Sequence, residues 1–156
     1  MSVKAIPEGF HSLTVYMGVK DAAKAIDFYK KAFGAIEHFR LDGPDGRVCH
    51  AELQIGDSRL MLSDPCDQGG FTSPDPHSKS TFGMHLYVPD VDAQFKRAID
   101  AGAKVEREVQ DQFYGDRMGT LKDPFGHLWL VSTHKEDLTP EEIGKRAEAA
   151  FKQMQS

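Results

Sequence analysis

What this chain lacks narrows it first. It has only two cysteines, Cys49 and Cys66, among 156 residues. Their separation matches no paired metal-ligand spacing, and two thiols make no disulfide framework. No basic run or stripe occurs, and 19 Lys and Arg stand against 24 Asp and Glu. That mildly acidic balance leaves no electrostatic footprint for a nucleic acid. No apolar run is long enough to span a bilayer, and the start carries no signal-like segment. No glycine-rich turn leads from a strand into a helix in the way that cradles a nucleotide-type cofactor. The expectation is a cytoplasmic protein with reduced thiols and no organic cofactor. Neither nucleic acid nor membrane is expected as a partner. The length suits one compact domain or two small intimate halves, and it allows a real core.

What is present is a repeat. Asp123-Pro124-Phe125-Gly126 reads as a turn. Proline fixes its own φ, the residue before it is pushed out of the helical region, and Gly126 can close the turn at positive φ. Short apolar stretches flank it, Arg117 to Lys122 and Leu128 to Thr133, which predicts a hairpin. The first half holds a matching piece, Val48 to Leu62, with Gly56 at its turn. Upstream, Lys20-Asp21-Ala22-Ala23 matches Pro89-Asp90-Val91-Asp92, and Gly34-Ala35 matches Gly102-Ala103. Each half reads strand, helix, strand, strand, strand. The period is roughly 70 residues, longer than solenoid repeats, so two copies point to a duplicated module.

In chain order, residues 1 to 10 read as a loose arm and His11 to Met17 as a strand. Asp21 is the expected N-cap of a first helix whose apolar face is Ala22, Ile26, Tyr29 and Phe33. Gly34 stops it. A strand from Ile36 to Leu41 and a turn at 42 to 46 precede the first hairpin. Residues 64 to 82 are rich in Gly, Pro, Ser and Asp, with no apolar period. Such a segment is either a solvated linker or a cover over a cavity. The second half opens with a strand from Gly83 to Val88. Asp90 caps a helix with the face Val91, Phe95, Ala98 and Ile99, and a strand from Lys104 to Val109 follows Gly102. Thr139, Pro140 and Glu142 spell a capping box with proline at the first helical position. They start a polar terminal helix with a thin stripe of Ile143, Ala147 and Phe151, suited to packing on the domain or on a partner subunit. The expected divisions are a module over 1–63, a loop over 64–82, a module over 83–135 and the terminal helix over 136–156.

The segments Asp21 to Tyr29 with Phe33-Gly34-Ala35, His85-Leu86-Tyr87-Val88 with Asp90-Val91-Asp92, Tyr114-Gly115-Asp116-Arg117, and Asp123 to His127 with Trp129 and Thr133-His134 carry a family pattern. Together they resemble the vicinal oxygen chelate superfamily, which includes glyoxalase I, bleomycin-resistance proteins and extradiol dioxygenases. Within it the PhnB-like branch is most similar. The resemblance implies an α+β fold: two tandem βαβββ modules forming curled mixed sheets around a cavity, plus a C-terminal helix. It also implies a homodimer and a small-molecule ligand.

Metal-dependent members of that superfamily place His or Glu on the first and last strands of each module, where an ion chelates neighbouring substrate oxygens. Counting from helix starts and turns, those positions fall on Thr14, about Gly83, near Met61 and on Leu130. None is a His or a carboxylate, so no metal is expected. Strand alternation then assigns the faces. Ala51, Leu53 and Ile55 should face the helix, leaving Val48, His50 and Glu52 toward the concave side. Gly83, His85 and Tyr87 share the ligand-type face, as do Ser12, Thr14 and Tyr16. Leu128, Leu130 and Ser132 should point in, with Trp129 and Val131 under the second helix. The candidate acid–base pair is His50 and Glu52. The candidate ligand-binding residues are Thr14, Tyr16, His85, Tyr87, Tyr114, Arg117 and Leu130. Two function classes stay open: a protein that holds a small molecule unchanged, and a small-molecule lyase, isomerase or dioxygenase of glyoxalase lineage with a rearranged or absent metal site.

Overall fold

The structure, a computed structural model, describes residues 2–156. The first module runs β1 (Val15–Gly18), α1 (Ala22–Phe33), β2 (Ile36–Asp42), β3 (Val48–Ile55) and β4 (Ser58–Ser63). The second runs β5 (Met84–Tyr87), α2 (Val91–Ala101), β6 (Lys104–Asp111), β7 (Asp116–Lys122) and β8 (Leu128–His134). A final helix, α3, spans Pro140–Met154. Each module makes one four-stranded sheet, in the orders β1-β4-β3-β2 and β5-β8-β7-β6. The first strand of each is parallel to the last, and the other pairs are antiparallel. The duplicated βαβββ reading therefore holds.

The curled sheets do not. Neither sheet curls round or closes on itself, and no strand of one pairs with a strand of the other. β1 and β5 are only four residues long and bond on one side each. Sequence alternation could assign faces but not curvature, which depends on pairing at the edges. Each module thus keeps one covered face and one free face.

The covered faces share a core. The helix side of the first sheet supplies Met17, Ala51, Leu53, Leu60 and Leu62, all buried, to α1 residues Ile26, Phe28 and Tyr29. The helix side of the second supplies Leu121, Trp129 and Val131. Gly119 has no side chain to obstruct α2, where a Cβ would lie 2.6 Å from the Phe95 ring. α1 and α2 also pack on each other, where Gln94 and Arg97 donate to carbonyls at the end of α1.

Several local expectations need correction. The first strand begins at Val15, not His11. Asp21 does not cap α1 with its side chain; it sits at φ 60°, and Asp64 accepts from the Ala22 amide instead. The second oxygen of Asp64 accepts from the Val48 amide, so one carboxylate ties the start of α1 to the start of β3. Val48 is buried in the core rather than on the free face, because an irregularity in the β2–β3 register near Leu41 and Asp42 breaks the alternation there. Trp129 packs on α1, with ring centroids 4.3 Å from Phe33 and 5.4 Å from Tyr29, so it joins the two modules. By contrast Asp90 accepts from the Ala93 amide, and the Thr139–Glu142 capping box is complete, as their spacing requires.

Candidate functional site

The free face of the first sheet carries a chain of polar side chains. Tyr16 and Met61 are opposite one another on β1 and β4, and Glu52 is opposite Met61 on β3. Side chains two apart on a strand share a face, which brings His50 alongside Glu52. The Tyr16 hydroxyl lies 2.8 Å from His50 Nδ1, and His50 Nε2 lies 3.4 Å from Glu52 Oε1. Both His50 and Glu52 are half-buried. A carboxylate, an imidazole and a phenol are therefore linked in series, a chain able to bind a polar group or move a proton. Phe39 stands beside His50 at 6.0 Å.

The segment between the modules covers this face. Phe71 stacks on Tyr16 with centroids 4.7 Å apart and planes 13° from parallel. Phe71 is held by a bridge to Cys66, and the next two residues fix the segment to the end of β1. There the Thr72 carbonyl lies against Gly18 and the Ser73 hydroxyl accepts from the Lys20 amide. Further on, Pro74 and Pro76 press on Gly126, and Lys122 donates to the carbonyls of Pro76 and Ser78. The segment is thus a strap tied to both modules. The sequence leaves this segment as a linker or a cover; Phe71, one of its two aromatic residues, is the feature that could have pointed to the cover.

On the second sheet, His85 Nε2 lies 2.7 Å from the Ser132 hydroxyl, and the imidazole stacks on Tyr87 at 4.6 Å. Tyr87 donates to Asp116 at 2.9 Å, which, together with partial burial, raises its hydroxyl above the usual phenol range. Asp116 also bonds His134, whose other nitrogen meets Asp137. Tyr114 is half-buried nearby, its hydroxyl donating to the Met118 sulfur. A groove of about 430 Å³ crosses the same sheet, lined by Arg107, Met118, Thr120, Leu128 and Leu130, with Lys79 of the strap at its edge.

Tyr16, His50 and Glu52 are therefore brought together, as are His85, Tyr87 and, close by, Tyr114 and Leu130. Thr14 lies just before β1, half-buried. Arg117 is elsewhere. Its guanidinium grips both oxygens of Asp92 at the start of α2 and one of Asp111, and these bonds raise its pKa.

A metal centre does not fit these positions. On the free faces the first and last strands pair Tyr16 with Met61, Gly18 with Ser63, His85 with Leu130 and Tyr87 with Ser132, so His85 alone among them is of an ordinary metal-ligand type. Among the described residues no three His, Cys, Asp or Glu side chains cluster to hold an ion. No helix among them is long and apolar enough to cross a membrane.

His134 makes a pH-dependent contribution. Bonds to Asp116 first and Asp137 second raise its pKa above the ordinary value. A raised folded-state pKa gives stability that is fully present below the unfolded pKa of about 6.5 and fades as pH rises through the folded value. The melting temperature of the wild type should exceed that of His134→Gln most near pH 6, and the gap should close at alkaline pH. A gap that widens with rising pH would contradict this.

The chain is similar in sequence and fold to known proteins. The pattern of the Glyoxalase/Bleomycin resistance protein/Dioxygenase superfamily matches residues 10–131. The uncharacterized protein Mb0911c of Mycobacterium bovis is 43% identical over 135 residues, covering 85% of this chain and 89% of that protein. The crystal structure of TioX from Micromonospora sp. ML1 aligns with a TM-score of 0.62 at 26% identity, over 83% of this chain and all of TioX. The PhnB protein of Bacillus cereus has the same fold, with a TM-score of 0.61 at 16% identity, over 79% of this chain and 99% of that one. The chain belongs to the glyoxalase/bleomycin-resistance/dioxygenase superfamily, the vicinal oxygen chelate proteins, with a PhnB-like relative among its structural neighbours.

Proposed function

We propose that the protein binds a small organic molecule on the free faces of its sheets, without the four-ligand metal centre of its metal-dependent relatives. One observation carries this reading: Tyr16, His50 and Glu52 form a connected polar chain beneath an aromatic strap residue, Phe71. A few convergent polar groups among aromatic and apolar neighbours make up a small-molecule site. The same chain supports a second reading, a lyase, isomerase or dioxygenase of glyoxalase lineage, in which Glu52 and His50 pass a proton through Tyr16. A cytoplasmic setting suits the two free, exposed thiols.

The test begins with a thermal-shift screen of small aromatics and antibiotics. For the ligand found, His50→Ala and His85→Ala should each weaken binding by about 1–3 kcal/mol, the cost of leaving a shielded polar partner unsatisfied. Unchanged affinity in both variants would sink the free-face assignment.

The free faces also favour a second copy of the chain. Ile36, Phe39, Leu41 and Tyr87 are all about half-exposed on and around them. Apolar surface of that kind is usually covered by a partner. Sedimentation at micromolar concentration should give a homodimer; a monomer would count against it.

A further inference from the structure

A further cavity lies at the seam between the two modules. It lies where the helix sides of β1 and β4 meet those of β5 and β8, and its volume is about 270 Å³. Its walls are Val15, Met17 and Leu60 from one module and Met84, Leu86 and Trp129 from the other, and His85 also lines it. No carboxylate lines it, and Arg59 stands at its edge beside Ser58. The arginine ion pairs among the described residues are those of Arg40, Arg47, Arg117 and Arg146, so Arg59 has no acidic partner. Its guanidinium instead sits 5.2 Å from the centre of the Phe10 ring, with the Gly9 backbone alongside. The arm thus holds the charge in place without neutralising it.

We infer that this slot is a second binding site, for a small amphipathic anion such as a medium-chain carboxylate. The hydrocarbon body fills the apolar slot and the carboxylate pairs with Arg59. Apolar walls account for the body, since burying hydrocarbon there removes it from water. The unpaired, pre-positioned guanidinium accounts for the head, because arginine holds carboxylates through two parallel bonds. Seams between modules are common places for such sites. The site goes beyond the free-face reading: the two share His85, but Arg59 and Val15 were assigned no part in that one.

Trp129 is the only tryptophan of the chain and forms a wall of the slot, so it reports occupancy directly. The experiment is quenching of its fluorescence by ω-bromodecanoic acid, below micelle-forming concentration, with ω-bromodecanol as the uncharged control. The expected result is saturable quenching by the acid, with the alcohol binding about tenfold more weakly or worse, a loss of roughly 1.4 kcal/mol. Arg59→Gln should weaken the acid by a similar factor and leave the alcohol unchanged. Val15→Phe, at a partly exposed edge, should block both ligands. Circular dichroism melts show that the variants fold, and Arg59→Gln alone suffices if Val15→Phe does not. Absence of saturable quenching, equal affinity for acid and alcohol, or an unaffected Arg59→Gln would overturn the inference. His50 does not line the slot, so the loss of affinity in His50→Ala is judged apart from these outcomes and the two readings fail separately.

Discussion

Asp123→Ala is expected to destabilise the protein by about 3–5 kcal/mol, because it leaves several buried donors without an acceptor. Asp123 is 4% exposed. It accepts from the Tyr29 hydroxyl at 2.7 Å, from Trp129 Nε1 at 2.9 Å, and from the amides of Phe125 and His127, each at 2.9 Å. Two of these bonds close the β7–β8 turn, one orients the indole, and one reaches across to α1 in the other module. Burial first, and then the Asp123 carboxylate, hold the Tyr29 hydroxyl well above its usual pKa, so it stays a donor at any ordinary pH. Alanine removes the acceptor and brings no water in with it. Chemical denaturation checks the magnitude. A loss under about 1 kcal/mol would show that the donors find other partners.

Trp129→Ala should cost a similar amount, about 3–5 kcal/mol, for a different reason. Here the loss is volume: the indole is 2% exposed and lies against Tyr29 and Phe33 of α1. The cavity already beside it would be enlarged, and the surrounding strands relax only in part. The two substitutions share the Trp129–Asp123 bond, so the double variant should lose less than the sum of the two. Strict additivity in denaturation would mean that the Trp129–Asp123 bond contributes nothing to stability.

Much of the scaffold was legible because local signals agreed with one another. The Asp90 cap, the Thr139–Glu142 capping box and the paired turns at Gly56 and Gly126 are each set by a few adjacent residues. The alternation of Ala51, Leu53 and Ile55 against His50 and Glu52 put those two side chains on the face away from the helix, and the same rule placed His85 and Tyr87. What failed depended on distant parts of the chain. Asp64, 42 residues from the amide it caps, displaced the expected role of Asp21. A register irregularity put Val48 in the core. Trp129 settled on the helix of the other module, and Arg117 was taken up by Asp92 and Asp111. The curl of the sheets failed for a related reason. It was carried over from the resemblance, and nothing in the strand residues themselves encodes closure.

In the function we propose, the ligand site works through Tyr16, His50 and Glu52 rather than through a metal. The most direct test is titration of the screened ligand into wild type and His50→Ala, each before and after treatment with a chelator, with elemental analysis of the protein used. Chelation should leave wild-type affinity unchanged, while His50→Ala should weaken it by about 1–3 kcal/mol. The contradicting result is one divalent ion per site whose removal abolishes binding.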